Sequence, residues 1–170
     1  MTNNKIKTIH YIDLFCGLGA FHSAFNNINK NKKNIQYKCV YACDIDDKVR
    51  DIYEENYNLK PNSDINHINI NEIPNFDILC AGFPCQTFSI CGKKEGFNDK
   101  VKGNLFFKIL EIVDIKKPNT LILENVKNLY SIDNGEVFNR IKDEIEKRGY
   151  KFNYKIINSK YYNSPQSRER

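Results

Sequence analysis

Residues 8–20 read TIHYIDLFCGLGA, and the fold follows from the change of character inside that stretch. Residues 8–15 form an apolar run of the kind a buried strand uses. CGLGA at 16–20 is a tight loop that opens a helix reaching about Ile28. Its two glycines let the backbone pass close to a ligand and turn into that helix. A plain strand-turn-helix needs similar glycines, so the motif alone leaves a functional and a structural reading equally open.

Working outward, the same alternation repeats. Residues 37–43 form a second strand, and Asp46 is placed to cap a helix whose face is Val49, Ile52, Tyr53 and Tyr57, ended by Pro61. Residues 76–80 form a short strand, followed by a loop rich in Gly, Lys and Pro. Leu105, Ile109, Ile112 and Val113 fall at helical spacing. TLILENV at 120–126 predicts another buried strand. Val137, Ile141 and Ile145 mark a helix closed by Gly149, and residues 150–159 alternate as a strand. There is no internal repeat and no linker. Strands alternating with helices imply βαβ units, hence an α/β chain with a mostly parallel sheet covered by helices on both faces.

Composition limits the function classes. The 170 residues suit one domain, and 41% hydrophobic with 28% charged residues is globular rather than disordered. No apolar run has the ~18 residues of a membrane span, and the opening residues form no secretory signal, so a cytosolic location without a membrane partner is expected. Twenty-six basic against twenty-one acidic residues leave +5, which suits a polyanion partner without demanding one. Six cysteines (Cys16, Cys39, Cys43, Cys80, Cys85, Cys91) form no C-x-x-C pair and lie far in sequence from His10, His22 and His67. A disulfide framework and a structural zinc site are therefore not expected. Most of these thiols are expected to be buried small hydrophobes, with at least one left as a candidate nucleophile.

The chemically unusual residues cluster where strands end. Gly17 and Gly19 follow the first strand, Asp44 ends the second, Pro84 and Cys85 follow the next. Glu124 and Asn125 end the strand after that, and Gln166, Arg168 and Arg170 follow the last. Ligands of open α/β sheets bind beyond the carboxyl ends of the strands, so one site is expected there. Asp44 is placed to accept from ribose hydroxyls, a solvated or helix-capping aspartate being the alternative. Asp64 in NSDIN could accept from an adenine amino group, or serve as an ordinary turn aspartate. Cys85 in AGFPCQTFS needs local help to ionise if it is to attack, and an inert buried cysteine is the competing reading. Glu124, ending an apolar strand, could hold a proton near neutrality; a salt-bridged structural glutamate is the alternative. Arg168 and Arg170, at i and i+2, share a face if extended, and could pair with Glu124 or hold an anion.

DLFCGLGAF, ACDID, DILCAGFPCQTFS, LILENVKNL and PQSRER, in that order and spacing, resemble the DNA (cytosine-5) methyltransferases, above all the short bacterial restriction–modification type. The resemblance runs from about Ile9 to Arg170. It implies a Rossmann-like S-adenosylmethionine-dependent methyltransferase fold, and it lowers the weight of the structural alternatives for Cys85 and Glu124. It also implies a covalent mechanism without metal. The Cys85 thiolate attacks C6 of a cytosine flipped out of duplex DNA, Glu124 protonates or hydrogen-bonds N3, and C5 accepts a methyl group, leaving S-adenosyl-L-homocysteine. Arg168 is expected to contact the cytosine carbonyl and orient Glu124, Arg170 to support the site or a phosphate, Asn125 to fix the loop carrying Pro84 and Cys85, and Gln86 to belong to the catalytic loop.

On the cofactor side the resemblance assigns Phe15, Gly17, Leu18, Gly19, Asp44, Ile45, Asp64, Ile65, Pro84 and Leu105. Lys93, Lys94, Lys100 and Lys102, in GKKEGFNDKVKGN, are expected to close over the DNA backbone, where a non-binding protein would simply have a solvated loop. Ala20 replaces a further family glycine and Cys91 a small side chain; neither removes a required group. The family's variable recognition region and a late segment completing the cofactor pocket lie downstream of the matching motifs. Residues 1–170 are thus expected to be the N-terminal part of a catalytic domain incomplete at its C-terminus, weakly active or inactive alone, with an exposed apolar edge. A second polypeptide supplying recognition is a further expectation, as is a cytoplasmic, nucleoid-associated location. A tRNA cytosine methyltransferase ranks lower because its Cys-Phe-Thr signature is missing. A non-catalytic fragment or subunit is the alternative from another class.

Overall fold

Four strands form one sheet in the order β2-β1-β3-β4. The computed structural model describes residues 6–84 and 105–170. β1 (Lys7–Leu14) is the central strand, parallel to β2 (Ile35–Cys43) on one side and to β3 (Ile78–Gly82) on the other. β4 (Thr120–Glu124) is the edge beyond β3. Chain order reverses at β1, which makes its carboxyl end the switch point where open α/β sheets take their ligands. Between β1 and β2 runs α1 (Ala20–Asn31), after β2 α2 (Asp47–Tyr57), and before β4 α3 (Leu105–Lys116). α4 (Glu136–Glu146) follows β4. No helix among the described residues is long and apolar enough to cross a membrane.

Each element has a local cause. Burial rises along β1 until Tyr11, Ile12, Asp13 and Leu14 are sealed. One extra residue in β2 shifts the register between Tyr11–Cys39 and Ile12–Tyr41, a bulge that brings Cys43 level with Leu14. Asp46 caps α2 as expected, accepting from Lys48 N at 2.9 Å and Val49 N at 3.2 Å. The helix stops earlier than Pro61, at Tyr57, where Asn58 turns left-handed. Tyr53 is sealed, whereas Ile52, one position off the i, i+4 stripe of Val49, Tyr53 and Tyr57, is 44% exposed. α3 buries Phe106, Ile109, Leu110, Ile112 and Val113. α4 buries the expected Val137, Ile141 and Ile145, and Gly149 follows it in a left-handed turn.

Two expected strands differ. The apolar run at 120–126 is not a buried strand: β4 ends at Glu124 and leaves Ile122 36% exposed, because among the described residues it is the edge of the sheet, paired on one side only. Residues 150–159 form no strand. They offer only a short antiparallel bridge, in which Ile157 and Arg170 exchange both backbone bonds and Ser159 N donates to Arg168 O. Alternating side chains alone do not make a strand without a longer partner.

By internal contacts the chain divides into two units, one of Met1–Phe83 and Leu105–Leu123, the other of Pro84–Asn104 and Glu124–Arg170. The first holds the core. Tyr11, Phe25 and Cys80 pack with Phe21, Tyr37 and Ile78, and Cys16, Ala42 and Tyr53 pack with Tyr57 and Leu59. The second contains an aromatic group in which Phe138 meets Tyr130, Phe152 and Tyr154 at centroid distances of 5.2, 5.6 and 4.8 Å.

Asp13 is a carboxyl fully sealed in the first unit. Burial pushes it up to about 7; the Tyr53 hydroxyl and the His22 backbone N–H work against that shift, and the nearby Asp44 adds to it. Its folded value lies above its unfolded one. Its contribution to stability is therefore complete below about pH 4 and is lost as pH rises through about 7. In denaturant titrations from low to high pH, wild type should lose up to about 4 kcal/mol relative to Asp13→Asn across that window; parallel pH profiles would refute the assignment.

A second expectation concerns Gly19. It has φ +82°, and a Cβ there would collide with Cε2 of Tyr57, whereas Gly17 (φ +51°) has nothing within 4 Å of a Cβ. Gly17→Ala should cost only the left-handed backbone, about 1–2 kcal/mol. Gly19→Ala should cost clearly more, because the ring of Tyr57 must also move. Urea denaturation of both variants checks the order, and equal losses would contradict the packing.

Candidate functional site

The strongest candidate in the first unit is the loop between β1 and α1. Phe15 (φ 55°), Gly17 (φ 51°) and Gly19 (φ 82°) are all left-handed. For Phe15 that is a costly conformation, of the kind that gathers at ligand sites. Gly19 N donates to Cys16 O at 2.8 Å, and Ser23 N donates to Gly19 O at 2.8 Å, starting the helix.

Asp44 holds this loop from the next strand. Its Oδ2 accepts from Gly17 N at 2.8 Å and its Oδ1 from Asp46 N at 3.1 Å. Cys16 N donates to Cys43 O at 3.0 Å, so the ends of β1 and β2 are joined twice. Arg50 donates to the carbonyls of Asp44 and Ile45 at 2.8 and 3.0 Å and pairs with Asp47. Leu18 and Ile45 stand 61% and 73% exposed. The segment carrying Asp64 lies along the end of β2, with Asn62 N donating to Ala42 O and Asp44 N to Asn62 O. Asp64 itself acts as a turn aspartate, accepting from Asn66 N and Nδ2 at 2.9 Å and facing His67 Nδ1 at 3.3 Å. Ile65 is buried, Leu105 opens α3 half-buried, and Pro84 is exposed.

These residues fit an adenosine-like group. Exposed apolar side chains flank a carboxylate whose two oxygens each accept one N–H and retain a lone pair for a hydroxyl. The space over Gly17 is open. Among the described residues, no group of three His, Cys, Asp or Glu side chains is gathered as metal ligands would be.

The thiols sort themselves by environment. Burial pushes Cys39 up to about 11 and Cys43 up to about 12, and pushes Cys16 and Cys80 further in the same direction. Such thiols stay protonated near neutrality and make poor nucleophiles. Cys85 and Cys91 remain from the six, and both lie outside the described residues, as do Gln86, Lys93, Lys94, Lys100 and Lys102.

In the second unit, Glu124 is reached by Arg170, whose Nε lies 2.7 Å from Oε1. Of the two arginines that could pair with Glu124, Arg170 does so and Arg168 is exposed. The intervening Glu169 pairs with Lys127 at 2.8 Å. Asn125 accepts from Val126 N at 2.9 Å.

Some features were missed from the sequence. Asp13 stood inside the quoted motif, yet nothing local says that a strand aspartate will be sealed beneath the loop. Its partners Tyr53 and His22 lie 40 and 9 residues away, and their contacts exist only after the sheet forms. Tyr57 donates to the carbonyls of Leu18 and Gly19 at 3.3 and 3.1 Å and was read only as a core residue. The aromatic cavity of ≈ 390 Å³, lined by Tyr130, Phe138, Phe152 and Tyr154 with Asn139 and Lys142, was likewise not foreseen.

Comparison with known proteins matches this arrangement to a family. The family model described as C-5 cytosine-specific DNA methylase matches residues 9–170. The Type II methyltransferase M.HhaI of Haemophilus parahaemolyticus is 42% identical over 168 residues, covering 99% of this chain and 49% of the relative. The Type II methyltransferase M.BsuFI of Bacillus subtilis is 41% identical over 169 residues, covering 99% of this chain and 39% of that one. The crystal structure of S. pombe Dnmt2 methyltransferase superposes with a TM-score of 0.74 at 20% identity, over 95% of this chain and 48% of that one, and shows the shared fold. That fold is the Rossmann-like methyltransferase sheet with helices. The chain spans about half the length of the curated relatives it matches. It belongs to the C-5 cytosine-specific DNA methylase family.

Proposed function

We propose that residues 1–170 carry the cofactor loop and the catalytic groups of a restriction–modification DNA (cytosine-5) methyltransferase. The observation that carries the reading is Glu124, at the end of β4 and held by Arg170 at 2.7 Å, within a family match that also spans the Pro-Cys-Gln loop. S-adenosyl-L-methionine, when bound, supplies an electrophilic methyl group. Asp44 would accept its ribose hydroxyls, Phe15, Leu18 and Ile45 would pack on its adenine, and the backbone of 17–19 would face its methionine part. Asp64 would receive the adenine amino group through lone pairs its turn leaves open. Ile65, Pro84 and Leu105 complete the assigned set.

The substrate is a cytosine in duplex DNA, rotated out of the stack at a cost of a few kcal/mol because C6 is inaccessible within it. The Cys85 thiolate adds to C6, and the electron pair released into the ring is accepted at N3 by the hydrogen bond or proton of Glu124. C5 becomes nucleophilic and takes the methyl group. Loss of the C5 proton to water restores the double bond and expels Cys85 as the thiolate, while any proton taken up at N3 returns to Glu124. Arg170 fixes the carboxylate of Glu124, Arg168 is left for the cytosine carbonyl or a phosphate, and Asn125 and Gln86 shape the two loops. Sequence recognition and the closing wall of the cofactor pocket are assigned to residues other than these 170, on the same or a second polypeptide.

Transfer of tritium from labelled cofactor should go to duplex DNA and not to tRNA, measured with the recognition part supplied. Cys85→Ser should abolish it, and Glu124→Gln should lower it by about 10²–10⁴. Full turnover by Cys85→Ser would exclude the covalent route, and labelling of tRNA alone would overturn the substrate. The lysines make a separate expectation. Neutralising Lys93, Lys94, Lys100 and Lys102 together should flatten the salt dependence of DNA binding, by roughly 0.9 in slope for each phosphate left without its counter-charge. A slope unchanged in a filter-binding titration would remove them from the interface.

A further inference from the structure

Asp13 of β1, Tyr53 of α2 and His22 of α1 are buried beneath the glycine loop and have no part in the chemistry above. The Tyr53 hydroxyl lies 2.8 Å from Nδ1 of His22 and 3.5 Å from Oδ2 of Asp13. A hydroxyl has one proton to donate and can accept as well, so the chain of bonds can run in either direction. With Asp13 ionised, Tyr53 donates to Asp13, and His22 donates to Tyr53 from Nδ1. With Asp13 protonated, Asp13 donates to Tyr53, Tyr53 donates to Nδ1 of His22, and the imidazole proton sits on Nε2. Both directions are complete. The two directions place the His22 proton on different nitrogens, with Cys39 Sγ at 3.7 Å the third group in reach of the hydroxyl.

His22 is also the link to the loop. Gly19 has no side chain with which to cap α1, and the backbone N–H of His22 in the first turn favours the Asp13 carboxylate. The imidazole stacks on Tyr57 with centroids 4.0 Å apart and planes 13° off parallel. Tyr57 in turn donates to the carbonyls of Leu18 and Gly19. The start of the helix and the last carbonyls of the loop thus hang on the same residues.

We propose that Tyr53 is a positioning residue of the cofactor site, joining Asp13 to His22 in a buried two-way relay, so that the loop's grip on the cofactor depends on the direction in which the relay runs. This rests on the reading of the loop as the cofactor site.

The surroundings leave both directions accessible. The groups facing Asp13 are His22 from α1, Tyr53 and Tyr57 from α2, Cys39 and Cys43 from β2, and Cys80 from β3, with Tyr11 and Cys16 on its own segment. Burial keeps the phenols and thiols protonated and pushes His22 down, toward its neutral form. No cation is among these groups. The one charge in that set of interactions is Asp44, which favours the protonated carboxyl.

Two measurements on the full chain decide the matter. Imidazole nitrogen NMR of His22, followed from about pH 5.5 to about pH 8.5, should show Nδ1 and Nε2 shifting in opposite directions, the mark of tautomer exchange. The exchange should vanish in Asp13→Asn. Calorimetric binding of S-adenosyl-L-homocysteine should change through the same transition, and Tyr53→Phe should bind about tenfold more weakly with a flat pH profile. A His22 spectrum that is invariant, or unchanged by Asp13→Asn, overturns the relay. A Tyr53→Phe chain that melts lower yet keeps wild-type affinity and pH slope reduces Tyr53 to a packing residue and overturns the positioning role. If wild type shows the exchange but binds no S-adenosyl-L-homocysteine even with the segment that closes the pocket supplied, the cofactor reading falls and the relay stands.

Discussion

A backbone that runs left-handed at Phe15, Gly17 and Gly19 must be held there, and the carboxylate of Asp44 does so from the neighbouring strand. Its bond to Gly17 N joins the first β-α turn to the end of β2, while Asp46 and Arg50 join that end of β2 to α2. One aspartate thus ties two βα units together at the place where chain order reverses. The bulge in β2 is part of the same constraint. Without its extra residue Cys43 would fall out of register with Leu14, and Asp44 would not come level with the loop.

Beneath the loop the support is polar, and that is destabilising in itself. A sealed carboxyl with one oxygen lacking a hydrogen-bond partner costs on the order of 1–3 kcal/mol that an apolar residue would not. Asp13 offsets part of this by meeting Tyr53. Tyr57 adds a steric limit, because its ring occupies the volume that any side chain at residue 19 would need. Loop shape is therefore set from three directions, by Asp44 beside it, Asp13 below it and Tyr57 against its end.

Burial also explains the distribution of thiols. Four cysteines serve the first unit as small apolar side chains, with ionisation pushed out of reach. A chain rich in cysteine can keep one reactive thiol among several if the others are desolvated. In the second unit the same physics acts on charge: Glu124 is partly exposed and matched by a guanidinium, and Glu169 between the two arginines is matched by Lys127.

Much of the fold was legible in the residues. Apolar runs and glycine punctuation marked β1, β2 and β3, the i, i+4 spacing marked α4, and Asp46 announced its own helix. Those signals are local, since period and capping depend on neighbours in sequence. The order of motifs likewise identified the family, because each chemical group keeps its place along the chain. Sequence alone therefore determined the α/β class, the placing of Gly17, Gly19, Asp44, Pro84 and Glu124 at or just beyond strand ends and the kinship. Tertiary structure alone decided that the run at 120–124 is an edge strand, that residues 150–159 find too short a partner to be one, and that Arg170 rather than Arg168 meets Glu124. It also decided that Asp13, Tyr53 and His22 form one buried chain. Each of these is a pairing across many residues, and which groups meet is fixed by strand order and register, quantities that no local spacing encodes.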